Sequence, residues 1–255
     1  RVVREIDIAP GVELTLRTSA ATNGVTARWT RPEDRQRRNE KRRSSAAPGE
    51  SVRGLPADVH IGDRAFLIER IAGRNLQVSA ASFFQSGPAG AELLVDAVGR
   101  AAPELVTADH AVDAYGGVGL FAATVMDAVR RVTLIESARS SCFDARENLS
   151  NRAGTGSKSV EIVRSDVGDW KPGEDADPID VVVADPARPG LAKPGTAAMV
   201  RMNAPVIALV SCDPVSLARD ARLLAEAAYA MESIEVLDLF PQTPHVECVT
   251  RFVRM

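Results

Sequence analysis

The sequence predicts an α/β fold in which a small β-rich region precedes a mostly parallel, seven-stranded sheet whose last strand is antiparallel. Three observations predict it. From about residue 87, short apolar segments alternate with helical ones, as in βαβ units around a buried parallel sheet. The last two apolar segments are joined by a short loop, so they should pair antiparallel. Residues 1–80 instead hold short segments of alternating polarity, such as 12–16 and 24–29.

The larger region, residues 81–255, contains its elements in a regular order. Its strands are predicted at 110–115, 132–136, 160–163, 179–184, 206–210, 234–239 and 247–253. Its helices are predicted at 91–101, 120–130, 138–151, 195–203 and 214–228. Residues 1–80 hold two further predicted strands, at 66–70 and 76–79. The segment 31–50 is rich in Arg, Glu, Ser, Ala and Pro and is interpreted as a flexible basic loop, with a solvated role favoured over an RNA contact.

The composition excludes several classes of protein. The chain has 255 residues, 45% apolar and 25% charged, which is ordinary for a globular protein. Its formal net charge is -3, so any nucleic-acid contact would need a local basic patch. No apolar run is long enough to span a membrane, and the first residues lack the apolar core of a signal peptide. The cysteines match neither a metal site nor a disulfide framework, so we expect a cytoplasmic protein without a metal: they are Cys142, Cys212 and Cys248.

A glycine-rich turn, Asp113–Phe121, joins a predicted strand to a helix. Glycines allow a tight turn and the close approach of a ligand, although a turn without any ligand would have the same composition. Glu136 ends the next strand, about twenty residues later, where a carboxylate can accept hydrogen bonds from both hydroxyls of a ribose. Together they favour a nucleotide-like ligand, and NAD and S-adenosylmethionine remain alternatives at this point. Ala122 stands where the dinucleotide fingerprint would have its third glycine.

Three chemically active side chains are expected at other strand ends. Asp185 follows a strongly apolar strand and lies in a loop stiffened by prolines. Cys212 falls between a strand and a helix that Asp213 can cap, and we expect the helix N-terminus to favour its thiolate, the nucleophilic form. Glu247 follows a proline-containing loop and is a candidate base, as is His245.

Taken together, these motifs resemble the RNA 5-methyluridine (uracil-C5) methyltransferase family. The matching segments occur in family order over residues 80–255: Ser82-Phe83-Phe84-Gln85, the Asp113–Phe121 turn, Asp185-Pro186-Ala187-Arg188, Ser211-Cys212-Asp213-Pro214, Leu217-Ala218-Arg219-Asp220, and Phe240-Pro241-Gln242-Thr243 with His245-Val246-Glu247. The resemblance implies a class I, Rossmann-like methyltransferase domain over residues 81–255. Residues 1–80 would then be a substrate-side or RNA-side region.

The resemblance also implies the ligands and the roles of the site residues. S-adenosylmethionine would be the methyl donor, and the substrate would be tRNA or rRNA, with no membrane or protein partner. The positions that match cofactor- and substrate-contacting residues are Gln85, Tyr115, Glu136, Asp166 and Asp185. Cys212 matches the nucleophile that adds to uracil C6, and Glu247 the base that removes the C5 proton. Phe83 or Phe84 could stack on the target base.

The sequence also departs from the family pattern. Ala187 replaces the second proline of Asp-Pro-Pro-Arg, and Asp213 stands where members often have Asn. Many members hold an iron–sulfur cluster with four cysteines, which this sequence does not provide. The alternatives are a catalytically impaired RNA-binding relative and a methyltransferase for another nucleobase position. A nicotinamide dehydrogenase is disfavoured by the pairing of Cys212 with Glu247.

Overall fold

The computed structural model describes residues 6–10, 12–22, 24–30, 52–55, 59–62, 65–85, 87–152, 158–173 and 176–255. The whole predicted basic loop at 31–50 thus lies outside the described residues, and its flexibility stays a prediction. By their internal contacts the residues form two compact units, one of residues 1–69 and 77–81 and the other of residues 70–76 and 82–255.

The first unit is built from short strands, as the β-rich composition predicts. A two-stranded and a three-stranded sheet are formed, with strand orders β1-β4 and β2-β3-β5. The strands β6 and β7 pair in a further two-stranded sheet, and each has residues in both units. The bounds are β1 Asp7–Ile8, β2 Glu13–Thr18, β3 Val25–Thr30, β4 Val52–Arg53, β5 Val59–Ile61, β6 Phe66–Ile71 and β7 Arg74–Ser79.

The second unit contains a seven-stranded sheet of order β10-β9-β8-β11-β12-β14-β13. All pairings are parallel except those of β14, which runs antiparallel to both neighbours and confirms the predicted fold class. The strands are β8 His110–Ala114, β9 Arg131–Glu136, β10 Ser159–Arg164, β11 Val181–Ala184, β12 Val206–Ser211, β13 Tyr229–Leu237 and β14 Glu247–Arg254. The helices are α1 Pro88–Ala101, α2 Leu120–Ala123, α3 Arg139–Asn148, α4 Ala192–Met202 and α5 Pro214–Glu226. No helix of the described residues is long and apolar enough to cross a membrane.

Both faces of the central strands of this sheet are buried. Successive residues along each strand point to opposite faces and so belong to different apolar clusters. Val181 and Val183 of β11 belong to one apolar cluster, which includes buried residues of α1, α2 and α3. Val182 and Ala184 belong to the other, which includes residues of α4 and α5. The strand order reverses between β8 and β11, so the carboxyl ends of these two strands flank the crevice in which open α/β sheets bind ligands.

One predicted element is much shorter than expected. A helix predicted over 120–130 ends at Ala123 as α2. The next residue, Thr124, is β-branched and turns its hydroxyl onto the carbonyl oxygen of Leu120 at 2.7 Å. Further on, the buried guanidinium of Arg152 donates to the carbonyl oxygens of Met126 and Val129. These contacts satisfy backbone groups that a continued helix would have paired internally.

Candidate active site

Three predicted site residues meet at the carboxyl edge of the sheet. Asp185 follows β11, and its amide donates to the carbonyl oxygen of Ala114 in β8 at 3.2 Å. Ser211, the last residue of β12, pairs with Cys248 of β14. Because β12 and β14 are antiparallel, Cys212, which follows Ser211, and Glu247, which precedes Cys248, lie at the same end of the two strands. Asp185, Cys212 and Glu247 interact electrostatically with one another, so the topology brings together the predicted nucleophile, base and loop carboxylate.

Asp185 is held by Gln85, which was predicted separately as a ligand-contacting residue. The Gln85 side-chain amide donates to Asp185 Oδ2 at 3.1 Å. Burial raises the pKa of Asp185 to about 7, against the lowering effect of this hydrogen bond. Gln85 therefore fixes the orientation of a carboxylate that carries a proton much more readily than an exposed one.

Glu247 is almost fully buried, with 4% of its surface exposed. Burial, and then the negative charge of Asp185, raise its pKa to about 8. A carboxyl group with a pKa near neutral pH is suited to accept and release a proton during a reaction.

Cys212 lies half-buried just before α5, as predicted. Asp213 caps this helix, accepting the amide of Ser216 through Oδ2 at 2.8 Å. The pKa of the Cys212 thiol is nevertheless raised, by burial first and then by Glu247 and Asp185, against the lowering effects of a backbone hydrogen bond and of Arg188. The prediction that the helix N-terminus acidifies this thiol is therefore wrong, because two carboxyl groups and burial outweigh it.

The glycine turn after β8 and Glu136 at the end of β9 lie side by side, as expected. Glu136 accepts the amide of Gly117 through Oε2 at 3.0 Å and the amide of Ala138 through Oε1 at 2.6 Å. Gly117 has a φ of +53°, and a Cβ placed there would meet no atom within 4 Å. The turn thus presents open backbone beside an oriented carboxylate, which suits the ribose of a nucleoside ligand.

Asp113, at the start of this turn, was not predicted as a site residue. It is fully buried, and burial raises its pKa to about 7. Its Oδ2 accepts the amide of Ala122 at 3.0 Å, whereas its Oδ1 is buried without a hydrogen-bond partner. Asp113 therefore joins the strand to the start of α2 across the turn. Its position within the turn was the available signal, since an acidic residue inside an apolar strand needs a partner.

Tyr115 and Asp166 are near enough to influence each other. Tyr115 adopts a φ of +63°, a strained conformation for a bulky residue. Burial first, and then Asp166 and Asp220, raise its pKa to about 12, so the phenol stays protonated. Its Oη lies 2.5 Å from the position that a Cβ on Gly195 would occupy. Asp166 is exposed, and its Oδ1 accepts the amide of Gly168 at 2.8 Å.

The two neighbouring phenylalanines have different environments. Phe83 is 77% exposed, whereas Phe84 packs against the apolar core. Phe83 is therefore the residue of this pair that could offer a stacking surface. Within the described part of the chain, no cluster of three or more His, Cys, Asp or Glu residues is arranged to hold a metal ion.

Known proteins resemble this chain in sequence. An uncharacterized RNA methyltransferase of Streptomyces avermitilis is 37% identical over 189 residues, which are 73% of this chain and 42% of that protein. Those of Streptomyces coelicolor and Caldanaerobacter subterraneus are 36% and 34% identical over 73% of this chain and 40% of their own length. The chain thus spans well under half the length of these relatives. No family model matches it.

Solved structures resemble it as well. The tRNA (uracil-54, C5)-methyltransferase of Pyrococcus abyssi, solved with S-adenosyl-L-homocysteine, superposes with a TM-score of 0.66 at 26% identity, covering 94% of this chain and 59% of its own. TYW2 of M. jannaschii, solved with AdoMet, shares the fold with a TM-score of 0.54 at 15% identity, over 80% of this chain and 91% of its own. By its sequence relatives and its fold, the chain belongs to the RNA methyltransferase family.

Proposed function

We propose that this chain is an S-adenosylmethionine-dependent methyltransferase that forms 5-methyluridine in tRNA or rRNA. The observation that carries the proposal is the meeting of Cys212, Glu247 and Asp185 at one sheet edge. A methyl transfer to a base nitrogen would need no such nucleophile. The likeness to the Pyrococcus abyssi tRNA (uracil-54, C5)-methyltransferase supports the same assignment.

The site residues fit S-adenosylmethionine. Glu136 and the open backbone at Gly117 suit its ribose. Burial opposes the ionisation of Asp185, Glu247 and Cys212, and neighbouring carboxylates oppose it further at Glu247 and Cys212. A bound cation would offset these effects, so the cluster is complementary to a cation. When bound, S-adenosylmethionine supplies an electrophilic methyl group on a sulfonium cation.

The residues of this chain would then divide the chemistry between them. Uracil C5 is a poor nucleophile until Cys212, after losing its thiol proton to solvent, adds to C6 as the thiolate, which makes C5 enolate-like and able to take the methyl group. The Glu247 carboxylate then removes the proton from C5, and the electron pair of that C–H bond expels the thiolate from C6. Asp185, held by Gln85, provides a fixed carboxylate beside both groups. The target base must leave its stack to enter this edge, and exposed Phe83 could support it there.

Product analysis tests the proposal. The protein is incubated with methyl-labelled S-adenosylmethionine and total RNA from cells that lack 5-methyluridine, and the RNA is digested and separated into nucleosides. We expect labelled 5-methyluridine from the wild type and from Cys142→Ala, a buried cysteine outside the cluster, and none from Cys212→Ala. A different methylated nucleoside would refute the uracil assignment. Binding of S-adenosylhomocysteine without any product would favour the catalytically impaired relative.

A further inference from the structure

The loop that follows β11 has a conformation that needs external support. This segment, residues 185–191, is named the Asp185 loop. Gly190 within it has a φ of +73°, and Ala192, the first residue of α4, has a φ of +50°. A non-glycine residue in the left-handed region costs on the order of 1 kcal/mol, so neighbouring contacts must hold the backbone there.

Those contacts come from one face of α5. Ser216 Oγ donates to the carbonyl oxygen of Arg188 at 3.0 Å, and Arg219 Nη2 donates to that of Pro189 at 2.5 Å. The carboxylate of Asp220 accepts the amide of Leu191 at 2.7 Å and, through its other oxygen, the amide of Ala192 at 3.1 Å. Residues three and four positions apart share a helix face, so one side of α5 binds this backbone at successive points.

Arg219 and Asp220 also stabilise each other. Their side chains form an ion pair at 2.8 Å, in which the Asp220 side chain is 2% exposed and the Arg219 side chain 39% exposed. A Cβ on Gly190 would overlap the Asp220 carboxylate and come within 2.9 Å of Arg219 Nη2. The loop therefore lies in close contact with this pair, and only a glycine at position 190 permits that approach.

The same helix begins two residues after the predicted nucleophile. Cys212 precedes the capping residue Asp213, whose carboxylate holds the amide of Ser216 at 2.8 Å. Ser216 in turn donates to the backbone carbonyl of Arg188, so the helix that begins beside Cys212 is bonded directly to the Asp185 loop. A shift of the Asp185 loop along α5 would therefore change the surroundings of Cys212.

We propose that Arg219 and Asp220 are positioning residues that hold the Asp185 loop in register with Cys212. Their importance for catalysis rests on the proposed function, in which Cys212 is the nucleophile. The geometric claim can be tested on the thiol itself and needs no methyl transfer.

The test is the pH dependence of Cys212 alkylation by iodoacetamide, with the labelled residue identified by peptide mass. The groups that act on this thiol are Glu247, Asp185 and Arg188. Asp220→Asn and Arg219→Ala remove opposite charges, whereas Gly190→Ala displaces the pair without changing any charge. The matched control is Arg222→Ala on the same helix, where Arg222 forms an exposed ion pair with Glu226 at 2.7 Å.

We expect the alkylation midpoint to shift in the same direction in Asp220→Asn, Arg219→Ala and Gly190→Ala, because each displaces the loop whose Asp185 and Arg188 charges act on the thiol. Arg222→Ala should keep the wild-type midpoint. A downward shift for Asp220→Asn with an upward shift for Arg219→Ala would mean direct charge effects and would overturn the proposal. An unchanged midpoint in folded Gly190→Ala would also overturn it, whether or not Asp220→Asn folds.

Methyl transfer gives a second readout. If the wild type forms 5-methyluridine, the three loop variants should lower kcat about 10-fold, since small misplacements of reacting groups are costly. Arg222→Ala should keep wild-type kcat. An inactive wild type that still shows the expected alkylation shifts would refute the proposed function and leave the positioning role standing.

Discussion

Replacing Glu247 by Gln separates the first half of the proposed reaction from the second. The amide has nearly the same size as the carboxyl group but cannot accept the C5 proton. The Cys212 adduct should therefore form and then persist, with its resolution slowed about 10²- to 10⁴-fold, the usual contribution of a general base. The matched control is Glu235→Gln, because Glu235 forms an exposed pair with Arg100 on α1.

The structure also sets the pH dependence of this step. With a pKa of about 8, Glu247 is ionised in roughly one molecule in ten at pH 7 and in about half at pH 8. A step that uses this carboxylate as base should therefore accelerate about fivefold between pH 7 and pH 8 in the wild type. In Glu247→Gln the resolution rate should not change over the same interval.

The assay follows radiolabelled RNA on a denaturing gel after a single turnover, because a covalent adduct migrates with the protein. The half-life of the retarded band is measured at both pH values for the wild type and the two glutamine variants. Wild-type turnover by Glu247→Gln would refute the role of Glu247 as base. An adduct that resolves at the same rate in Glu247→Gln and in Glu235→Gln would contradict it equally.

Three further predictions concern binding and stability. Glu136→Gln should weaken S-adenosylhomocysteine binding roughly 10- to 100-fold by calorimetry, since hydrogen bonds to charged groups contribute about 1.5–3 kcal/mol; an unchanged Kd would remove Glu136 from the cofactor site. Gly195→Ala should lower the free energy of unfolding by about 1–3 kcal/mol, because its Cβ would lie 2.5 Å from Tyr115 Oη. The control is Gly99→Ala in α1, which should lose no stability, because a Cβ there would lie 3.6 Å from its nearest neighbour. Where burial raises a carboxyl pKa, as at Asp113, the folded state binds protons more tightly than the unfolded state, so the free energy of unfolding should fall from pH 4 to pH 7. In urea titrations, Asp113→Asn should reduce the slope of this fall by at most about 1.4 kcal/mol per pH unit. An unchanged slope would contradict the raised pKa of Asp113.

The sheet could be predicted from sequence because its signals are local. Runs such as 181–184 and 206–210 are apolar on both faces, which only a sheet covered on both sides permits. The short link between β13 and β14 predicted their antiparallel pairing. The end of α2 was not predictable in the same way, because a distant residue, Arg152, takes the carbonyl groups that follow it.

The candidate site could be predicted residue by residue but not as a network. Asp185, Cys212 and Glu247 each follow or begin a strand, so the topology alone places them at one edge. Their effect on one another depends on burial and on distances through space. For this reason the direction that the sequence predicted for the Cys212 pKa shift was wrong. The Gln85–Asp185 hydrogen bond joins residues 100 positions apart, which no local pattern encodes.

The side chains that support the site were also outside the reach of local patterns. Ser82 donates to the buried carboxylate of Asp144 at 2.6 Å, which ties the segment carrying Gln85 to α3. From the sequence, Asp220 was identified only as part of a motif. Its hydrogen bonds to the amides of Leu191 and Ala192 depend on the packing of α4 against α5. Buried carboxylates of this kind bind backbone amides that no strand or helix satisfies.

Trapping the covalent intermediate and locating it on the chain tests most directly whether Cys212 is the nucleophile. RNA containing 5-fluorouridine has fluorine in place of the C5 proton that Glu247 would remove, so the adduct cannot resolve by elimination. After incubation with S-adenosylmethionine and proteolysis, mass spectrometry identifies the peptide that carries the nucleotide. We expect a methylated fluorouridine on Cys212 and on no other residue. If the protein methylates uridine in RNA but forms no such adduct, or attaches it to another side chain, Cys212 is not the nucleophile.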